Sequence, residues 1–262
     1  MCARASGWCC SRWWRPGGGE LWYGDQEFTK RLSLERIRAL GAEPRTVIDV
    51  GVATGTPEIY GVFENVRYAL IEPLAESAPF MQRVVDQYPG SVAVQAAAGR
   101  APGQAQLTVT ANLSGSSFTV NPVAGALREV PMVTIDQVVA EHALAGPHIL
   151  KLDVQGYELE ALAGAEQTLK DCIVVIAEVS LWADRKKKGM AEFAELIAWF
   201  RDRGFVLYDL AQVSRRSYDG AITEMDLVFC PSASPLRENT SYKSAAQSQD
   251  AIAKRRRAFG VE

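Results

Sequence analysis

The stretch CIVVIAEVS, residues 172–180, runs apolar through consecutive positions with no polar alternation before Glu178. Successive side chains of a strand point to opposite faces, so a strand of this kind has to be covered on both. That excludes an open antiparallel sheet with one wet face and calls for helices above and below the sheet. The chain supplies them. Strand-like runs at RTVIDVG (45–51), NVRYALIEP (65–73), SVAVQAAAG (91–99) and GPHILKLDV (146–154) are interleaved with helical patterns. The helical patterns are DQEFTKRLSLERIRAL (25–40), PLAESAPFMQRVVDQY (73–88), YELEALAGAEQTLK (157–170) and GMAEFAELIAWFRDRG (189–204). This alternation predicts an α/β fold with a mostly parallel central sheet and helices on both faces. AQLTVTAN (105–112) alternates polar and apolar and predicts an added strand or hairpin. FVLYDL (205–210) and EMDLVFC (224–230), joined by a polar loop without a helical pattern, predict an antiparallel hairpin at one sheet edge.

These elements place a single domain over residues 25–230. Residues 1–24 show no apolar periodicity and no continuous apolar core of a signal peptide, and they read as a disordered leader. Residues 231–262 are polar, end in a basic run, and read as a solvated, disordered tail. The net charge is −3, from 28 basic and 31 acidic residues, which offers no basic footprint for nucleic acid. No run of about 18 apolar residues is present to span a membrane. Five cysteines without paired CxxC spacing argue against a disulfide framework or a zinc site and for a reducing cytoplasm. Cys172 and Cys230 sit in apolar runs and read as core residues. Nothing in the sequence sets an oligomeric state.

In a doubly covered parallel sheet, ligands bind beyond the carboxyl ends of the strands, where the strand order reverses. The first strand ends in Asp49-Val50-Gly51-Val52-Ala53-Thr54-Gly55. Gly51 and Gly55 allow a tight turn and a close approach to a ligand. Thr56 and Pro57 are suited to cap and open a following helix, whose free N–H groups would face the same pocket. The second strand ends in Ile71-Glu72-Pro73, an acid placed to accept both hydroxyls of a ribose. A dinucleotide site wants glycines where Ala53 and Thr56 stand, and its pyrophosphate gains nothing from Asp49. An acid at position 49 suits a cofactor with cationic groups, as S-adenosylmethionine has. An ordinary strand-to-helix turn is the plain alternative.

The fourth strand and its helix, HILKLDVQGYELEALAGAE (148–166), carry Lys151, Asp153, Gln155 and Glu158 close together. Burying unpaired charges costs several kcal/mol, roughly, so a strand end of this kind is built to face partners or a ligand. His142 and His148 lie away from that strand end and read as structural.

In these stretches, and in SGSSF (114–118), VTIDQVV, VVIAEVS and MDLVF, the chain resembles the FkbM-type methyltransferases in order and spacing over residues 25–230. The resemblance implies a Rossmann-like class I fold and S-adenosylmethionine-dependent methylation, in that family mostly of hydroxyl oxygens on sugars and secondary metabolites. It puts the cofactor loop at Asp49, Gly51 and Gly55, the ribose acid at Glu72, and the strand-four signature at Lys151, Asp153, Gly156 and Glu158. The family loop usually reads Gly-Ala-Asn-x-Gly, and Thr54 or Thr56 is expected to replace the missing amide. Asp153 has three open roles: accepting the acceptor's proton, holding the cofactor ammonium, or binding a divalent metal such as Mg²⁺ together with Glu178. Lys151 is expected to be a supporting ion-pair partner. Glu158 is read either as a helix-dipole partner or a substrate contact, and Ser116 and Ser117 as substrate contacts. The expected acceptor is a small molecule or glycoside. The rival readings are a nicotinamide-dependent oxidoreductase and a non-catalytic nucleoside-binding protein of the same fold.

Overall fold

The structure, a computed structural model, describes residues 28–110, 113, 116, 118, 125–181 and 191–261. In chain order the first elements are α1 (Lys30–Ala39), β1 (Thr46–Val50), β2 (Arg67–Ile71), α2 (Ala78–Gln87), β3 (Val92–Val94) and β4 (Ala97–Ala98). Then follow β5 (Gly103–Thr110), β6 (Gly125–Val133), α3 (Ile135–Glu141), β7 (His148–Leu152) and α4 (Glu158–Ala163). The last are β8 (Cys172–Ser180), α5 (Phe193–Asp202), β9 (Phe205–Arg215), β10 (Ile222–Pro231) and α6 (Ala245–Ala258).

Seven strands form the central sheet in the order β3-β2-β1-β7-β8-β10-β9. β1 runs parallel to β2 and β7, and β7 parallel to β8, while β10 is antiparallel to both β8 and β9. The last strand is therefore inserted inside the hairpin's edge, not added outside it. Every residue of β1 and β7 is buried, as two-sided coverage requires. Ile48, Val50, Leu150, Leu152, Val175 and Ala177 face one layer, where Ile135, Val138, Leu162, Leu196 and Phe200 pack. Val47, Ile149, Val174 and Ile176 face the other, against Leu34, Ile37, Met81 and Val84. Alternation along each strand thus feeds two cores from one sheet.

Four expectations change. The helix after the glycine loop is absent: residues 57–64 are turns and bends. Ile59 N–H bonds Thr56 O, but Gly61 and Asn65 take positive φ (70° and 57°), which ends any helix within a turn. The run 91–99 divides, β3 extending the main sheet and β4 joining a second, three-stranded sheet of order β4-β6-β5. β6 escaped the sequence reading because it is polar and contains Pro131. That proline is tolerated because β4 pairs only with Met132 and Val133, leaving the other side of β6 open at residue 131. The helix expected over 157–170 stops at Ala163, with Gly164 as its cap, and resumes as a short 3-10 turn at Thr168–Asp171.

The stretch read as a structureless tail carries a 3-10 turn (Pro235–Arg237) and α6. The signals were local. Ser244 and Gln247 form a reciprocal capping box, and Arg255, Arg256 and Arg257 occupy the last turn, where the helix dipole favours cations. α6 buries no residue. Among the described residues no helix is long and apolar enough to cross a membrane.

Candidate active site

A cavity of about 240 Å³ opens at the carboxyl ends of β1, β2 and β7. One side is made by Gly51, Ala53, Thr54, Glu72 and Asp153 at the strand ends. Apolar side chains line it as well, Phe80 from α2 and Leu107 from β5 together with Leu113 and Phe118. This is where the strand order reverses, between β1 and β7.

The loop after β1 is fixed by backbone contacts. Gly51 has φ 77°, its N–H donates to Ile71 O at 2.9 Å, and Asp153 N–H donates to Val50 O at 3.1 Å. A Cβ on Gly51 would lie 1.8 Å from the Asp153 carbonyl oxygen, so no other residue fits there without moving β7. Gly55 N–H closes the loop onto Val52 O at 2.7 Å. Glu72, 5% exposed at the cavity wall, accepts from Ala53 N–H through Oε2 and from Leu74 N–H through Oε1, both at 3.0 Å. Burial raises the Glu72 pKa, and those two N–H groups and Lys151 oppose the rise. Glu72 thus stands at the end of β2, at the cavity wall, and holds Ala53 in its left-handed turn (φ 47°).

Asp49 and Lys151 are register partners on adjacent parallel strands, so their side chains lie side by side on one face. Lys151 Nζ is 3.0 Å from Asp49 Oδ1, 2.7 Å from Gly51 O and 3.8 Å from Asp153 Oδ2. Burial works against the Lys151 charge, but Asp49 and Asp153 outweigh it and raise the pKa. The other Asp49 oxygen accepts from the Tyr60 hydroxyl at 2.6 Å. Asp49 is fully buried and does not line the cavity. The expectation that it faces the cofactor's cationic groups is therefore corrected: its charge is used internally, by Lys151.

Asp153 does line the cavity, with its side chain 29% exposed. Gln155, left-handed at φ 55°, donates from Nε2 to Asp153 Oδ1 at 3.0 Å and to Glu178 Oε2 at 2.9 Å. Burial, then Asp153 and Glu224, push the Glu178 carboxyl up to about 9, so it is protonated near neutrality. Burial opposes ionisation of Asp153 too, but Lys151, the Gln155 amide and Lys30 prevail and lower its pKa. One carboxyl of the pair is neutral and the other charged, with an amide between them. Two carboxyls joined through one amide supply few of the roughly six or more oxygens that a divalent cation takes. Among the described residues no group of three or more His, Cys, Asp or Glu is arranged to hold a metal ion.

Sequence reasoning missed the neighbours of this pair. Lys30, the first residue of α1, is 6% exposed and reaches Asp226 Oδ2 on β10 at 2.5 Å and Gln212 Oε1 on β9 at 3.1 Å. Asp226 is the register partner of Glu178. The only signal was an aspartate inside the otherwise apolar MDLVF run.

Glu158 is 4% exposed, and its Oε1 accepts from Val154 N–H at 3.2 Å and Gly156 N–H at 3.1 Å. Burial raises its pKa to about 7 against those two bonds. It ties the turn after β7, so neither a substrate contact nor a dipole partner describes it fully. Ser116 lines the cavity, but its hydroxyl donates to Leu113 O at 2.7 Å and accepts from Thr110 N–H at 3.2 Å. Ser117 lies outside the described residues. Thr54 lines the cavity and Thr56 is buried. His148 is buried at the amino end of β7, and His142 caps α3, both away from the cleft.

A seven-stranded sheet with one inserted antiparallel strand, a glycine loop after β1 and an acid ending β2 define a Rossmann-like class I methyltransferase. The chain belongs to the FkbM methyltransferase family: the model for the methyltransferase FkbM domain matches residues 49–207, more than half its length. It is accordingly an S-adenosylmethionine-dependent methyltransferase. No curated protein matches it. Among solved structures, the N-methyltransferase NodS from Bradyrhizobium japonicum WM9 aligns with a TM-score of 0.43 at 10% identity, over 77% of this chain and 93% of that one. The O-methyltransferase from Bacillus cereus, in complex with SAH, aligns with a TM-score of 0.41 at 14% identity, over 80% and 84%. Likeness this distant says nothing of the acceptor.

Proposed function

We propose that the protein transfers a methyl group to a hydroxyl oxygen of a small molecule or glycoside, with Asp153 as the proton acceptor. The observation that carries this is the Asp153 carboxylate, held ionised by Lys151 and aimed by Gln155 at the wall of the cavity marked by Gly51 and Glu72. S-adenosylmethionine supplies an electrophilic methyl on a sulfonium. Glu72 is placed to accept the ribose hydroxyls, the apolar lining with Phe80 and Leu107 suits the adenine, and Thr54 on the exposed loop is available to the methionine end. A hydroxyl becomes a competent nucleophile as its proton leaves, and a carboxylate within hydrogen-bond reach takes that proton. Glu178, neutral and joined to Asp153 through Gln155, limits the negative charge beside the reacting oxygen. No step passes through a metal: among the described residues the Asp153–Glu178 pair gains no third His, Cys, Asp or Glu to complete a cation site. The free, buried Cys172 and Cys230 accord with a cytoplasmic protein.

The test is Asp153→Asn assayed on a panel of hydroxylated glycosides and secondary metabolites. We expect the turnover number to fall about 100-fold or more, as loss of a general base does, with cofactor affinity within about threefold of wild type. A fall in cofactor affinity at unchanged turnover would instead give Asp153 the ammonium. Binding without turnover on any acceptor would favour the non-catalytic reading.

A further inference from the structure

The six residues of the cofactor loop have a support below them that the binding cleft does not reveal. Tyr60 lies in the turns after the loop, its ring edge-on to the fully buried Tyr68 with centroids 5.3 Å apart. Its hydroxyl donates to Asp49 Oδ2 at 2.6 Å and accepts from Thr56 N–H at 3.2 Å. A phenol has one proton to give and lone pairs to receive, so both bonds hold at once. Asp49 in turn pairs with Lys151, whose ammonium donates to Gly51 O at 2.7 Å. The loop is thus fastened at both ends, Gly51 and Thr56, through one buried chain of polar groups. The helix that would ordinarily hold the far end of such a loop is absent here, and a single phenol stands in its place.

We infer that Tyr60 is a positioning residue for cofactor binding, fixing the shape of loop 51–56 from beneath through Asp49, Lys151 and Thr56 without touching the cofactor. It rests on the reading of the cleft as the S-adenosylmethionine site. Burial, and then the Asp49 charge, raise the Tyr60 pKa, which keeps the donated proton in place across the working pH range. A loop whose backbone is preset binds without first being ordered, so loosening it lowers affinity and leaves the bound geometry available.

The experiment compares Tyr60→Phe with Tyr68→Phe. Tyr68 is in the same layer and its hydroxyl accepts from Gly61 N–H at 2.9 Å, outside the loop, so its loss is a structural control. S-adenosylhomocysteine affinity is measured by calorimetry, and KM for S-adenosylmethionine and kcat by methyl transfer. Tyr60→Phe is expected to weaken cofactor binding about tenfold, with the loss falling on KM more than on kcat. Tyr68→Phe is expected to lower thermal stability while the dissociation constant stays within about twofold of wild type. Equal affinities for wild type and Tyr60→Phe, or equal losses in both variants, overturn the role of Tyr60. If the wild type itself binds no S-adenosylhomocysteine, the cofactor reading fails first and takes this inference with it. Should Tyr60→Phe not fold, amide exchange in the wild type decides. A Thr56 N–H strongly protected in the free protein supports the tether, and one exchanging at the rate of an unstructured peptide removes it.

Discussion

At the scale of single residues, the site depends on carboxyl groups whose surroundings assign them different charges. Glu72 accepts two backbone N–H bonds and, on the proposed reading of the cleft, keeps further lone pairs for the ribose hydroxyls. A hydrogen bond to an ionised acceptor contributes about 1.5–3 kcal/mol, so losing two, with partial replacement by water, costs about 2–4 kcal/mol, or roughly 30- to 1,000-fold in affinity. Glu72→Ala should therefore weaken S-adenosylhomocysteine binding at least tenfold in calorimetry, and Glu72→Gln less, since one acceptor oxygen survives. Equal affinity in all three proteins would remove the ribose role. Glu178 makes a different prediction. Its pKa is raised from 4.5 to about 9, so the folded state holds a proton that the unfolded chain releases. The stability this gives is fully present below pH 4.5 and is lost as pH rises through about 9. Denaturant titrations between pH 5 and 9 should show Glu178→Gln gaining on the wild type as pH rises. Parallel stability curves for the two proteins would mean that Glu178 is ionised throughout.

Among the elements, α1 is tied to the sheet by a buried charge as well as by Leu34 and Ile37. Lys30 and Asp226 have side chains only 8% and 6% exposed. Removing one partner of such a pair leaves the other charge uncompensated, at a cost of about 3–5 kcal/mol, whereas replacing both with apolar groups of similar size is often neutral. Lys30→Ala should lower the unfolding free energy by about 3 kcal/mol, and Lys30→Met with Asp226→Leu should recover most of it. Equilibrium denaturation of the three proteins tests this, and a single-variant loss below about 1 kcal/mol would show the pair to be hydrated. The elements also differ in how far they could be read in advance. β8 announced itself as an apolar run, and β1 and β7 as short apolar runs interrupted only by Asp49 and Lys151, because both their faces are covered. β6 and α6 did not, since neither is buried on two sides and their signals are a tolerated proline and a capping box.

For the molecule as a whole, the strand order matters most. It places the ends of β2, β1 and β7 side by side, so residues far apart in the chain line one cleft. A ligand that binds only the folded state adds RT ln(1 + [L]/Kd), about 2.7 kcal/mol at a hundred times Kd. S-adenosylhomocysteine at that excess should raise the melting temperature by several degrees, NAD should not, and EDTA should leave both the shift and methyl transfer unchanged. A shift with NAD alone would return the site to the oxidoreductase reading, and loss of transfer with EDTA would return a metal to Asp153.

The sequence by itself determined the parallel sheet with two covered faces, the loop from Gly51 to Gly55, the acid at Glu72 and the concentration of charge around Asp153. Each of these is written in neighbouring residues, as periodicity, a glycine spacing or a strand-end position, so local reading reaches it. Only the tertiary structure decided which way those charges point. Asp49 looks outward in the sequence and is in fact turned to Lys151, because register between adjacent parallel strands sets them side by side. Lys30, Tyr60 and Asp226 enter the same layer from an amino-terminal helix, a turn and the inserted last strand, and no spacing along the chain encodes that meeting. A buried charge must find its partner in space, and the partner's place in the chain is free as long as the fold brings it there.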